Sequence, residues 1–248
     1  MQTTRALLCD AFADRPLAGN AAGVVPDADG LSEQQMQTVA RELGASETAF
    51  VLSSDAADRR LRYFTPRTEV ALCGHATVAA HAHLHADGRI GAGEHTAETD
   101  VGALDVEVTA EGTVWMSQRD PEVRRDVDVD AERVADALPF LAVGVDYLST
   151  LGDADPADAA VRAICEDADA VGIYPFTFDT LGSDATLHGR AFAAPLGIHE
   201  DPVTGTAAGA IGAYLRDVGA FGGDFPEELR VEQGHFVDRP GVVRVRVG

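Results

Sequence analysis

Two stretches decide the architecture: TPRTEVALCGHATVAAHAHLHADG, residues 65–88, and APLGIHEDPVTGTAAGAIGAYLRDVG, residues 194–219. Gly74 precedes Leu84 by ten positions and Gly88 by fourteen, and Gly205 precedes Leu215 and Gly219 by the same intervals. Each copy runs through proline, a short extended piece and a glycine into an alanine- and glycine-rich helix that stops at a glycine. Small residues on every side of a helix let other elements pack closely all round it. The repeat therefore predicts two similar lobes, each built round a central helix.

The rest of the chain reads as intermingled strands and helices with many hairpins, which favours an α+β class with mixed sheets over a doubly wound fold. RALLCDAF and AAGVV are predicted strands on either side of the turn-rich DRPLAGN. LSEQQMQTVARELG is a predicted helix: Ser32 and Gln35 form a capping box, Met36, Val39, Ala40 and Leu43 recur at helical spacing, and Gly44 ends it. ETAFVL and RLRYFTP are predicted strands. HTAETDVGALDVEVTAEGTVWMSQ reads as β-rich, with Glu111-Gly112 as a hairpin turn. RDPEVRRDVDVD, from Arg119 to Asp130, breaks the pattern and is the candidate junction between lobes 1–118 and 119–248, with the terminal strand available to pack back on the first lobe. Beyond it AERVADALPF reads as a helix, LAVGVDYLST as a strand, PADAAVRAIC as a helix, AVGIYPFTF as a strand, and ELRVEQ and GVVRVRV as closing strands.

The 248 residues carry 41 Asp+Glu against 19 Lys+Arg, a net charge of −22, and no lysine. Such a surface repels nucleic acid and anionic membrane, so neither is an expected partner. Without lysine there is no internal Schiff base to pyridoxal phosphate and no P-loop. Cys9, Cys73 and Cys165 are an odd, widely spaced set that fits a reducing compartment, and the N-terminus shows no signal-peptide pattern. A cytoplasmic location is expected. HAHLH, residues 81–85, puts His81 and His85 on one helix face, but no third ligand is evident and no metal site is expected.

If the lobes face one another, both glycine turns bring helix N-termini to one cleft. Their free N–H groups and positive dipole ends hold a carboxylate without any basic side chain. Glu47 stands at the head of ETAFVL behind Gly44, Ala45 and Ser46, with nothing bulky to shield it. A carboxylate beside an apolar strand is costly unless paired or at work.

DAFADRPLAGNAAGVV, LGASETAFVL, RYFTPRTEVALCGHAT and EDPVTGTAAGAIGAYL resemble the PhzF family of phenazine-biosynthesis isomerases, nearly end to end. The resemblance implies the diaminopimelate epimerase-like fold, each lobe a mixed β-barrel-like sheet wrapped round its central helix with the active site between lobes. It also implies an enzyme without cofactor, often a homodimer, acting on a small carboxylate-bearing metabolite. Glu47 matches the family's acid/base glutamate. His75 and Asp201 match pocket residues that bind substrate or relay protons, and Asn20, Gly74, Gly205 and Thr206 match substrate-binding positions. Other readings stand beside these: His75 capping its own helix, Asp201 as a turn residue before Pro202, Asn20 as a turn asparagine. A silent small-ligand binding protein, and a dehydratase or one-thiol racemase using Cys73, remain alternatives. A symmetric two-thiol racemase is disfavoured, because the position matching Cys73 in the second copy is Thr204, whose hydroxyl cannot replace a thiolate. The chain departs from the family at Asp238 and Gly241, where a glycine and a serine are expected, which leaves the substrate's identity open.

The acids are scattered rather than gathered in one tail and form a solvated coat suited to high salt. Screening relieves their repulsion, so the thermal midpoint should be higher in molar salt than in dilute buffer. An unchanged or lower midpoint contradicts this reading.

Overall fold

A computed structural model of the chain describes residues 3–118, 122–124, 132–135 and 140–248, with the side chains of 122–124 and 132–135 excepted. The chain divides into two compact units, Met1–Ala11 with Ala21–Ser117, and Phe12–Asn20 with Gln118–Gly248. The candidate junction at 119–130 lies, apart from residues 122–124, outside the described residues.

The first sheet contains β1 (Leu7–Ala11), β2 (Asn20–Val25), β3 (Glu47–Leu52), β4 (Arg59–Phe64), β5 (Glu69–Val70), β6 (Gly93–Thr99), β7 (Gly102–Val108) and β8 (Val114–Met116). Its order is β1-β2-β3-β4-β6-β7-β8, with β5 paired on β4. Parallel β2–β3 and β4–β6 pairings alternate with antiparallel hairpins, so the sheet is mixed. Helix α1 (Glu33–Leu43) carries the expected capping box: Ser32 Oγ accepts from Gln35 N and the Gln35 side chain accepts from Ser32 N, with Gly44 left-handed at the end. Its Met36 and Ala40 are buried with Val25, Ala28, Phe50 and Phe64. The two phenylalanine rings meet edge to face at 5.3 Å, a favoured aromatic geometry.

Helix α2 (Gly74–Ala86) buries Gly74, Ala76, Thr77, Ala79, Ala80, His81 and Leu84, which cover more than half of its circumference, while His75, Val78, Ala82 and His85 on the remaining side are half-buried. That is why it is built of alanine: larger side chains on so many faces would hold the sheet away. His81 is fully buried and its Nδ1 lies 2.9 Å from Thr77 O, so it serves the core. Burial lowers its pKa to about 4.

The second unit holds β9 (Glu122–Arg124), β10 (Glu132–Ala135), β11 (Phe140–Gly144), β12 (Gly172–Thr177), β13 (Leu187–Gly189), β14 (Ala191–Ala193), β15 (Ile198–Asp201), β16 (Leu229–Gln233) and β17 (Gly241–Val245). The order is β17-β16-β13-β12-β11-β10-β9, with β14 between β12 and β15. Helices α3 (Leu148–Gly152) and α4 (Asp158–Asp167) precede β12, and α5 (Gly205–Asp217) is the counterpart of α2, equal to it in length. α5 buries Ala207, Ala208, Ala210, Ile211, Gly212 and Leu215. A Cβ at Gly212 would stand 2.8 Å from Val245 Cγ1, so glycine lets β17 close on the helix.

Two expectations are corrected. The helix read over AERVADALPF is overturned at Glu132–Ala135, which form strand β10, antiparallel to β9 and β11 with Glu132 opposite Ala142 and Val134 opposite Phe140, and at Phe140, which opens β11; residues 131 and 136–139 lie outside the described residues, and in the rest long-range pairing overrides local helical spacing. LAVGVDYLST is a strand only to Gly144, and Leu148 opens α3. The terminal strand β17 pairs with β16 in its own unit. It is the N-terminal loop Phe12–Asn20 that belongs with the second unit. Arg239 donates from Nε to Gly19 O at 2.9 Å, Gly19 N donates to Pro240 O at 2.9 Å, and Val242 N donates to Phe12 O at 3.0 Å.

The loop after β16 turns on Gly234, whose φ is 84° and where a Cβ would stand 2.2 Å from Arg239 O and 2.7 Å from Pro202 O. These are backbone atoms that cannot step aside. Gly234→Ala should cost at least about 2 kcal/mol in chemical denaturation. Gly30→Ala, with open space round Gly30, should change stability by less than about 0.5 kcal/mol. Equal effects would refute the close approach.

Candidate active site

Glu47 is the first residue of β3, held in register by its pairing opposite Ala22 of β2. Gly44 ends α1 in the left-handed conformation, and the small residues Ala45 and Ser46 carry the chain into the strand, so the carboxylate emerges at the strand's edge. Its side chain keeps 17% exposure. Burial raises its pKa, and hydrogen bonds with Ser46 and Cys73 act in the opposite sense. The first of these is the desolvation cost of a charge in an apolar setting.

His75 is the second residue of α2 and so does not cap it; the cap position is Cys73, whose side chain makes no capping bond to the first-turn backbone. The first-turn N–H groups are thus left to other partners. His75 Nε2 lies 3.4 Å from Glu47 Oε2 and 3.3 Å from Ser46 Oγ, and Cys73 Sγ lies 3.4 Å from His75 Nδ1. Burial lowers the His75 pKa to about 4. At neutral pH the imidazole is uncharged, so its 3.4 Å contact with Glu47 is not an ion pair between full charges. Such a group can hold a proton on one member and pass it to another.

A second set forms in the second unit. Asp201 ends β15; its Oδ1 accepts from Asn20 Nδ2 at 2.9 Å and its Oδ2 from Thr204 Oγ1 at 2.5 Å. Asn20 also donates to Val203 O at 2.9 Å, so it is a buried structural contact and not a free turn residue. Gln233 donates from Nε2 to Asp201 O at 2.8 Å and to Thr204 Oγ1 at 3.2 Å, while its Oε1 accepts from Thr204 N and from the Tyr174 hydroxyl. Gly205 opens α5, where a Cβ would meet the Phe12 ring at 2.9 Å; Thr206, half-buried, follows it. Thr204 caps α5 without a side-chain bond to the helix, as Cys73 caps α2.

The structure thus brings Glu47 together with His75, next to Gly74, and brings Asn20 together with Asp201, next to Gly205 and Thr206. Gln233, Tyr174 and Ser46 join these sets without having been singled out in the sequence. Ser46 was within reach as Glu47's neighbour. Gln233 and Tyr174 gave no signal, because their partners lie 29 to 59 residues away.

The departures at Asp238 and Gly241 fit the backbone they occupy. Asp238 has a φ of 57°, a conformation glycine adopts freely and aspartate tolerates. At Gly241 a Cβ would stand 2.7 Å from Phe12 O and 2.8 Å from Val203 Cγ2, so the loop Phe12–Asn20 closes where a serine would need room.

Comparison with known proteins places this geometry. The phenazine biosynthesis-like protein family, PhzC-PhzF, matches residues 9–146 and 137–248. The "uncharacterized isomerase" YddE of Escherichia coli is 39% identical over 96% of this chain and 88% of its own length. The trans-2,3-dihydro-3-hydroxyanthranilate isomerase of Pseudomonas chlororaphis is 29% identical over 97% of this chain and 89% of its own. A PhzF-family phenazine biosynthesis protein of Bacillus anthracis superposes with a TM-score of 0.87 at 35% identity, covering 98% of this chain and 90% of the other. Both lobes with their central helices therefore follow the diaminopimelate epimerase-like fold. The chain belongs to the phenazine biosynthesis-like PhzC-PhzF family, and its class of reaction is that of an isomerase.

Proposed function

We propose that the chain moves a proton within a small carboxylate-bearing metabolite, without a cofactor, using Glu47 as the acid/base. The observation that carries this reading is the desolvated carboxyl of Glu47 set against the neutral imidazole of His75 at an uncapped helix start. A carboxylate with a raised pKa holds a proton more firmly than an exposed one, so a single group both takes and returns it. His75 stabilises the charge that develops on the substrate, and the first-turn N–H groups of α2 accept its anionic end. Asp201 and Thr206 position substrate. The Pseudomonas chlororaphis relative is named for a hydroxylated anthranilate, a carboxylate on a ring, and the substrate class proposed here is of that kind.

One observation favours a variant of this reading. Cys73 hydrogen-bonds with Glu47 and its sulfur lies 3.4 Å from His75 Nδ1, so the thiol could carry the proton on one side of the exchange. Cys73→Ser separates the two: activity kept within tenfold assigns the proton to Glu47 alone.

Incubation of candidate hydroxy and amino acids in D2O tests the proposal. Turnover labels the product carbon, whereas a silent binding protein labels nothing. Glu47→Gln should lower exchange about 10²–10⁴-fold with folding intact; full activity in the variant refutes the mechanism. The acid limb of kcat/KM should lie above the ordinary glutamate value of about 4.3, because the base must be ionised and its pKa is raised.

The same shift fixes the sign of a stability effect. A carboxyl whose folded pKa exceeds its unfolded pKa contributes most below the unfolded value and loses that contribution as pH rises through the folded one. Glu47→Gln should therefore raise the thermal midpoint at pH 7 to 8 relative to the parent chain, and the gain should vanish near pH 4. A variant less stable at pH 7 would show that burial does not dominate at Glu47.

A further inference from the structure

Among the described residues, only Glu47, Cys73 and His75 form a group of three side chains with metal-competent atoms all within 4.8 Å of one another. The distances within it are specific. His75 Nε2 stands 3.4 Å from Glu47 Oε2 and 3.9 Å from Cys73 Sγ. A tetrahedral Zn2+ with oxygen, nitrogen and sulfur ligands at about 2.0–2.3 Å sets those atoms about 3.3–3.6 Å apart. Two of the three separations thus already approach the edges of one coordination tetrahedron, and the third, between the Glu47 oxygen and the Cys73 sulfur, lies within 4.8 Å.

We infer that Glu47, Cys73 and His75 bind a thiophilic divalent cation, Zn2+ above all, and that the bound ion reversibly stops the exchange reaction. The ligand set is borderline-soft, a thiolate with an imidazole and a carboxylate, which selects Zn2+ over Mg2+ or Ca2+. Binding releases the Cys73 thiol proton to solvent and forms bonds to sulfur, to a ring nitrogen and to a carboxylate oxygen, with the fourth position left to water. The two anionic ligands balance the ion, so the positive end of α2 faces a neutral complex. The net charge of −22 concentrates cations near the surface. Glu47 and His75 retain 17% and 11% exposure, which leaves the group open to solution. The ion occupies the lone pair that would accept the substrate proton, so it inhibits; it is not a cofactor.

The inhibition half rests on the proposed role of Glu47, so binding and activity are measured separately. Tag-free protein is titrated with Zn2+ against a chromophoric chelator, without substrate, and then loaded with Co2+ for its thiolate charge-transfer absorption. One equivalent should bind, with the thiolate band present. Cys73→Ser should abolish the band and weaken Zn2+ binding at least tenfold, and Glu47→Gln should weaken it as well. His199→Ala is the control for the exposed group His199, Asp155 and Asp158, and should change neither readout. Absence of binding, no thiolate band in the parent protein, or loss of binding in His199→Ala overturns the site. The parent protein's band needs no variant to fold. One equivalent of Zn2+ should also cut deuterium exchange at least tenfold, reversed by a chelator; a bound ion that leaves exchange unchanged overturns the inhibition. Exchange that survives in metal-free Glu47→Gln instead refutes the catalytic reading while leaving metal binding to stand or fall alone.

Discussion

The constraint on which the rest depends is the burial of most of a helix's surface. α2 and α5 each have a sheet packed against them, and a helix so enclosed must be made of glycine, alanine and a few larger residues placed where space allows. Close packing fixes the helix axis to within a fraction of a side chain. It therefore fixes the position of the helix start. Neither start is closed by a bond from its cap residue's own side chain, and close packing holds the positive dipole end of each helix in place. The apolar packing that makes each unit stable is also what orients its polar end.

Catalytic potential at Glu47 follows from the same enclosure by opposite signs. Burial raises the pKa of an acid and lowers that of a base, and it does both here, at Glu47 and His75. The two shifts drive the pair toward fewer charges. Glu47 therefore holds a proton more firmly, and His75 less firmly, than either would in water. A fully ionised Glu47–His75 pair would be a stable salt bridge and a poor proton carrier. Ser46 and Cys73 moderate the effect by hydrogen bonding with the carboxylate, which acts against the upward shift.

What could be read from the sequence was local or repeated. The capping box at Ser32 and Gln35, the glycine at the end of α1, and the matched spacing of Gly74 and Gly205 each specify backbone conformation within a few residues, and each appears as expected. Glu47 stands beside such a signal, whereas His75 was singled out through the family resemblance, and the structure sets the two 3.4 Å apart. What escaped depends on distant pairing. Strand β10 has helical spacing but lies in a ladder with β9 and β11. Gln233 meets Thr204 only once β16 lies beside the start of α5. Arg190 gave no sign that it is a buried clamp, with Nε and Nη2 on Glu200 at 2.9 and 2.7 Å and Nη1 on the carbonyls of Leu151 and Ala154. An ion pair of that kind costs desolvation in proportion to its burial, and only a full set of partners makes it tolerable. No sequence window reports that set.

The departures near the C-terminus show how such a set also constrains substitution. The loop Phe12–Asn20 is held against residues 239–242 by Arg239, Pro240 and Val242, and two of its non-glycine residues, Phe12 and Leu17, have positive φ. Left-handed backbone at such residues persists only where neighbouring bonds over-determine it. Gly241 is part of that determination, since any side chain there would press on Phe12 O and Val203. Here the missing serine is matched by a loop that fills its place with backbone. The change at Asp238 is of another kind, a side chain added where the backbone already turns left-handed. One substitution removes a hydroxyl and the other adds a carboxylate, and the path of the chain accommodates both.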